Sequence, residues 1–185
     1  MKKLTRFFSF TTIFGLTLAA ACCKDKPPTP CDDNGLPCAT HEGLNTFGCI
    51  VNGVNWVAET SFTVGGPIAL EGEFDEATGD FWLKGTRRTS NESVYEYIRF
   101  FGVNIDAIGV HEMSVLNEEI MGFYDFNTNY PCQAYYHDTL NKGSLNIAYL
   151  NTQEGIIAGT FNVALINTIC GDTLYLSDGR FDFGY

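Results

Sequence analysis

The stretch "GSLNIAYLNTQEGIIAGTFNVALINTICGDTLYLSDGRFDFGY", residues 143–185, decides the fold class of this protein. Apolar and polar residues alternate along three successive segments, and turn-forming residues separate the segments. Alternation with a period of two places every second side chain on one face, which is typical of a half-buried β-strand. The alternation in the last segment breaks at Asp178-Gly179 and resumes at Phe181, and this break predicts a β-bulge.

The same alternation continues upstream of this stretch. The segment "TFGCIVNGVNWVA" contains Asn52-Gly53, a dipeptide that favours a tight hairpin turn. The segments "PIALEGEF" and "DFWLKGTRR" predict a second hairpin around "DEATG". The segment "SVYEYIRFFGVNI" is apolar on both faces, which predicts a central strand, and a short helix is predicted at 115–120.

These segments predict one all-β domain over residues 46–185. Nineteen glycines and 45% hydrophobic residues are compatible with strands, turns and a sizeable core. The predicted architecture is an antiparallel β-sandwich, and the alternative is a lipocalin-like β-barrel. The residues expected in the core are Phe47, Val51, Trp56, Leu145, Ile147, Phe161, Val163, Leu174, Phe181 and Phe183.

The N-terminus has the features of an export signal. Residues 1–21 combine a basic start with an apolar run that is too short to span a membrane and that ends in alanines. The sequence "AAAC" resembles a bacterial lipobox, although Leu18 lies one place upstream of the usual leucine. This resemblance implies that Cys22 becomes the lipid-modified first residue of the mature chain. Residues 22–45, rich in proline and poor in large apolar residues, are expected to form a flexible tether.

The charge of the chain restricts its partners. Residues 1–21 hold three of the eleven basic residues and none of the twenty-two acidic ones, so the mature chain carries a formal charge of −14. This charge argues against a nucleic-acid partner, whose phosphates need Lys and Arg. The expected partners are the membrane, through the N-terminal lipid, and a glycan or an envelope protein. The expected location is the cell envelope, with the lipid in the outer membrane.

Six cysteines remain after Cys22, and in an exported chain an even number first suggests disulfides. If all six pair, fifteen connectivities are open. Cys132 and Cys170 flank the compact C-terminal block and are the favoured pair, whereas Cys31 and Cys38 are close enough in sequence to form a local loop.

Two stretches and the lipobox resemble a family of uncharacterised Bacteroidetes lipoproteins. The stretches are "NTFGCIVNGVNWV" at the start of the domain and "GTFNVAL…CGDTLYLSDGRFD" at its end. The resemblance implies an exported, lipid-anchored, β-rich domain. It implies no activity and no site residues.

The sequence gives little support for catalysis. The two-histidine zinc-protease spacing, the Gly-x-Ser-x-Gly elbow and CxxC pairs are absent, so no catalytic residue, metal ligand or cofactor is predicted. Glu71 and Glu73 would share one face of a strand, which leaves a glycoside hydrolase as the least favoured hypothesis. The simpler interpretation of these carboxylates is a solvated hairpin tip.

Aromatic residues give the better functional hypothesis. If Phe81 and Leu83 face the core, alternation places Trp82 outward with Lys84, where Trp82 could bind a ligand or pair across strands. Further aromatics that could join a sugar-stacking platform are Trp56, Tyr95, Tyr97, Tyr124, Tyr130, Tyr135 and Tyr136. The predicted function is a non-catalytic binding or interaction module. The alternative is a lipocalin-like carrier of an apolar ligand, with the aromatics of "YEYIRFF" lining its cavity.

Overall fold

The computed structural model describes residues 31, 35–60, 68–88, 95–113, 121–127, 131–137 and 143–185. Within these ranges the chain forms twelve β-strands and no helix, which confirms the all-β prediction. The helix predicted at 115–120 lies outside the described residues. The strands are β1 (Thr46–Val51), β2 (Val54–Val57), β3 (Glu59–Thr60), β4 (Leu70–Asp75), β5 (Asp80–Arg88), β6 (Tyr95–Gly102), β7 (Gly109–Met113), β8 (Met121–Asp125), β9 (Ala134–His137), β10 (Gly143–Asn151), β11 (Ile156–Asn167) and β12 (Asp172–Gly184).

All twelve strands belong to one mixed sheet that nearly closes into a barrel. The main path runs β2-β1-β12-β11-β9-β8-β6-β5-β3, with β10 on β11, β7 on β10 and β4 on β5. The pairing of β3 with β5 is parallel, and the other pairings between described residues are antiparallel. The two ends of the path, β2 and β3, are consecutive in the chain and are separated only by Ala58, so the chain itself connects them. The arrangement is compatible with a sandwich-like or a barrel-like fold.

Two local signals in the sequence correspond to observed backbone features. Asn52 and Gly53 have positive φ angles of 47° and 84°, as a type I′ hairpin between β1 and β2 requires. Asp178 has a φ of 50°, and both neighbours of β12 shift register beside it, which confirms the predicted bulge.

Phenylalanine rings fill the centre of the sheet. Phe47 lies 5.3 Å from Phe161 and 5.9 Å from Phe100 between ring centroids, and Phe100 lies 5.4 Å from Phe181. Gly85 leaves room for Phe47, since a Cβ on Gly85 would lie 2.7 Å from Cδ1 of that ring. Nine of the ten predicted core residues are buried, and Val51 is partly buried against the same cluster.

Residues 35–45, which the sequence pattern assigned to the tether, pack on the domain. Leu36 is fully buried, and Arg180 donates a hydrogen bond to the carbonyl oxygen of Pro37. The buried carboxylate of Asp182 accepts hydrogen bonds from the Thr40 hydroxyl at 2.5 Å and from the backbone N–H groups of residues 42–44 at 2.8–3.3 Å. These charge-assisted hydrogen bonds hold in place a segment whose composition predicted a flexible tether.

Among the described residues, none lies in a helix that is long and apolar enough to cross a bilayer.

Candidate functional site

An aromatic surface covers the outside of β6, β8 and β9. Ile98 and Phe100 of β6 are buried, so the alternating residues Tyr95 and Tyr97 face outward. Register then places Tyr97 opposite Tyr124 of β8. We call the group Tyr95, Tyr97, Tyr124, Phe126 and Tyr136 the tyrosine face.

The rings of the tyrosine face form a continuous column. Tyr95 stacks on Phe126 with centroids 4.7 Å apart, and Tyr97 stacks on Tyr124 at 4.4 Å. Phe126 links the two stacks, because it lies 5.8 Å from Tyr97, and Tyr136 meets Tyr124 edge to face at 5.6 Å. Phe126 and Tyr136 are 46% and 39% exposed, so these two rings are the most accessible to a ligand.

A glycine sets the position of Tyr124. Gly122 lies between Arg99 and Tyr136 in the cross-strand register, and the Tyr124 ring lies over it. A Cβ on Gly122 would be 2.9 Å from Cε2 of Tyr124. An aromatic ring over a strand glycine is a known way of covering exposed backbone in a sheet.

Cationic side chains lie over the aromatic rings of this surface. The guanidinium of Arg88 lies 5.0 Å from the Tyr95 ring, and that of Arg99 lies 4.6 Å from the Phe101 ring. The Lys84 ammonium lies 5.3 Å from the Tyr97 ring. These distances are within the range of cation–π attraction.

Two phenols of the tyrosine face, those of Tyr97 and Tyr124, have a raised pKa. Burial raises the pKa of Tyr97, with Arg99 acting in the opposite direction. Burial also raises the pKa of Tyr124 far above its ordinary value, and a hydrogen bond with Tyr136 adds to this shift. Both hydroxyls therefore remain neutral hydrogen-bond donors at physiological pH.

The aromatic residues that the sequence suggested for a sugar-stacking platform lie on different faces of the sheet. Tyr95, Tyr97, Tyr124 and Tyr136 come together on the outside, whereas Trp56 is buried and Tyr135 packs against the core beside Phe123. Tyr130 lies outside the described residues. The sequence pattern did not single out Phe126 or the two arginines, Arg88 and Arg99. Alternation along β6 places Arg99 on the outside, so the sequence could have indicated this residue. It could not have indicated which residues of other strands lie beside Arg99.

Trp82 faces outward, as the alternation predicted, because Phe81 and Leu83 on either side of it are buried. It is half-buried and lies opposite Glu73 on one side and Phe101 on the other. Trp82 is thus at the margin of the tyrosine face, and its role in binding stays a prediction.

The two glutamates considered for glycoside hydrolysis have an ordinary surface environment. Glu71 forms an ion pair with Lys84 at 2.5 Å, and Glu73 is exposed opposite Trp82. No group of three His, Cys, Asp or Glu side chains in the described parts of the chain is arranged to hold a metal ion.

The described part of the chain contains two disulfides, Cys132–Cys170 and Cys31–Cys38, as the cysteine spacing favoured. Cys132–Cys170 joins the turn before β9 to the turn before β12. Strands β9 and β11 share only two described register pairs, so this disulfide is a second link between β9 and the β11–β12 part of the sheet. Cys22, the expected lipid-bearing residue, lies outside the described residues.

A polar cluster inside the sheet escaped the sequence analysis. The Trp56 indole N–H donates to the Glu96 carboxylate at 2.7 Å, and Arg87 forms an ion pair with the same carboxylate at 2.7 Å. Cys49 lies opposite Trp56, and burial raises the pKa of its thiol while Arg87 lowers it. A buried thiol that keeps its proton is a poor nucleophile, so this cluster is structural.

No protein-family model, curated protein or solved structure matches this chain. The functional proposal therefore depends on the geometry of the tyrosine face.

Proposed function

We propose that the protein is a lipid-anchored, extracytoplasmic binding module that binds a glycan at the tyrosine face. The observation that carries the proposal is the column of five contacting rings on the outside of the sheet. The outer surface of a sheet is ordinarily polar, and exposed aromatic surface is typical of a binding site.

The chemistry of the face suits a sugar. Because the rings of each stack cover one another, the column presents ring edges and phenol hydroxyls, with Phe126 and Tyr136 as its most exposed members. Amphipathic rings of this kind supply apolar contact and a hydrogen-bonding group together. A sugar ring offers the matching combination of C–H surfaces and hydroxyls.

The packed interior supports an external site over the alternative of a lipocalin-like carrier. A carrier needs an internal cavity, and the rings of Phe47, Phe100 and Phe161 occupy the centre with centroids 5.3–5.9 Å apart. The aromatics Tyr95 and Tyr97 of "YEYIRFF" stack on the outside. The glycoside hydrolase stays the least favoured hypothesis, because Glu71 is paired with Lys84.

Anchoring is the second part of the proposal and has its own test. Cys22→Ser removes the sulfur that would carry the lipid, and two or more acyl chains are needed for stable attachment to a membrane. The variant should therefore leave the membrane fraction or keep its signal unprocessed. Cys23→Ser is the control and should remain in the membrane. Persistence of the Cys22→Ser protein in the membrane would contradict lipid attachment at this residue.

Glycan binding is tested with the full-length protein in detergent by affinity electrophoresis against a panel of neutral and acidic polysaccharides. We expect retardation by at least one polysaccharide and about tenfold weaker binding for Phe126→Ala and for Tyr136→Ala, which corresponds to about 1.4 kcal/mol each. Tyr175→Ala is the matched control, because Tyr175 is 62% exposed on β12, a strand that pairs with none of β6, β8 and β9.

Failure to bind any member of the panel would contradict the glycan proposal. If the wild-type protein instead cross-links in whole cells to an envelope protein and Tyr136→Ala abolishes the cross-link, the tyrosine face is a protein-binding surface. Equal binding by wild type, Phe126→Ala and Tyr136→Ala would mean that the glycan site lies elsewhere.

A further inference from the structure

The outward side chains of β6, β8 and β9 differ in charge from the chain as a whole. The chain has twenty-two acidic and eleven basic residues. The outward positions of the described parts of β6, β8 and β9 nevertheless carry no carboxylate: they are Tyr95, Tyr97, Arg99, Phe101, Gly122, Tyr124, Ala134 and Tyr136. A surface without acidic groups on an acidic protein is suited to an anionic ligand.

Arg99 supplies a cation at the centre of this surface. It lies in the cross-strand row that runs through Gly122 to Tyr136, and it forms no ion pair with any described residue. Its positive charge lowers the pKa of both Tyr97 and Tyr124, although burial outweighs this effect. The register places Arg99 beside the stacked Tyr97–Tyr124 pair, and its guanidinium lies 4.6 Å from the Phe101 ring centroid.

Three tyrosines neighbour Arg99 in the register of the sheet: Tyr97 lies two residues away on β6, Tyr124 lies opposite Tyr97 on β8, and Tyr136 of β9 lies in the same cross-strand row as Arg99. The rings of Tyr124 and Tyr136 meet edge to face with centroids 5.6 Å apart, and a hydrogen bond between the two side chains contributes to the raised pKa of Tyr124. A guanidinium beside neutral phenol donors offers charge and several hydrogen bonds to one carboxylate.

We propose that the glycan is anionic and that Arg99, with the hydroxyls of Tyr97, Tyr124 and Tyr136, binds a carboxylate of a uronic acid. This inference depends on the proposed glycan function and specifies the ligand class of the same face. Phe126 and the exposed part of Tyr136 contact the neighbouring sugar rings. Lys84 contributes less to the ligand, because its ammonium is already paired with Glu71.

The test compares polysaccharides that differ only in charge. The full-length protein is assayed by affinity electrophoresis against polygalacturonate and its methyl ester, and against polymannuronate and its propylene-glycol ester. We expect about tenfold tighter binding to the free acid of at least one pair at low ionic strength, and loss of that preference at high salt.

Variants assign the preference to the proposed residues. Arg99→Gln should abolish the preference for the free acid, and Tyr124→Phe should weaken it without changing binding to the ester. Lys26→Gln is the charge-matched control: it removes the same charge from the N-terminal segment ahead of the described domain and should leave the preference unchanged. Circular dichroism of each variant checks that the fold is intact.

The outcomes separate the two proposals. Equal binding to acid and ester, with both weakened by Tyr136→Ala, would overturn the anionic ligand and leave the glycan function in place. An acid preference that survives Arg99→Gln would overturn the assignment to Arg99. Lack of binding to every polymer in this set and in the neutral panel would overturn the glycan function and this inference with it.

Discussion

Tyr97 and Tyr124 stack with ring centroids 4.4 Å apart on the outside of the sheet, although they are 27 positions apart in sequence. The two residues are direct partners in the register of β6 and β8, so the strand pairing itself brings the rings together. Their hydroxyls, together with Arg99, which neighbours this pair in the register, are the centre of the proposed ligand site.

The raised pKa values of these tyrosines predict a loss of stability at alkaline pH. Tyr97 and Tyr124 bind their protons more tightly when folded than in the unfolded chain, where the value is about 10. Their stabilising contribution is complete below this pH and falls as the pH rises above it, because the unfolded state then loses protons first.

We therefore expect the urea midpoint to fall between about pH 9 and pH 11, and to fall less for Tyr124→Phe than for wild type. Tyr175→Phe, at an exposed tyrosine, is the control and should follow wild type. If the urea midpoints of Tyr124→Phe and wild type fall in parallel as the pH rises, Tyr124 does not contribute to the loss of stability at alkaline pH.

Asp182 should stabilise the segment before β1. Asp182→Asn replaces a carboxylate that accepts four hydrogen bonds, so we expect a loss of about 2 to 3 kcal/mol in the free energy of unfolding. Amide hydrogen exchange at residues 42–44 should accelerate together with this loss. Asp178→Asn makes the same charge change at an exposed position of β12 and should have little effect. Unchanged exchange in Asp182→Asn would contradict the role of this carboxylate.

The two disulfides should differ in their contributions to stability. Cys132–Cys170 closes a loop with a sequence separation of 38, so removing it by paired serine substitutions should cost about 4 kcal/mol in the loop-entropy model. Cys31–Cys38 has a separation of 7 and should cost about 2 kcal/mol. Urea unfolding measures both losses, and a non-reducing digest verifies the pairing. A larger loss of stability on removing Cys31–Cys38 than on removing Cys132–Cys170 would contradict this prediction.

Any side chain at Gly85 should lower the stability of the fold. Gly85→Ala places a methyl group 2.7 Å from Cδ1 of Phe47, and overpacking of this kind costs about 1 to 3 kcal/mol. Gly184→Ala is the matched control, because the nearest atom to its added Cβ is 3.4 Å away. Thermal unfolding compares the two variants, and equal stabilities would mean that Phe47 moves aside without cost.

The sequence by itself determined the local features. Alternation identified the strands of residues 143–185, assigned Trp82 to the outside and Phe161 to the inside, and located the bulge at Asp178-Gly179. These features depend on the period of a strand and on residue-specific φ preferences, which are properties of neighbouring residues in the chain.

Only the tertiary structure decided which outward residues meet. Tyr95, Tyr97, Tyr124 and Tyr136 share a surface because β6, β8 and β9 are neighbours, and Thr40 reaches Asp182 across 142 positions of sequence. Alternation gives each side chain a face, but it does not specify the neighbouring strand. Strand order is set by the burial and hydrogen bonding of the whole sheet. The sequence pattern alone therefore could not show that these residues form one surface.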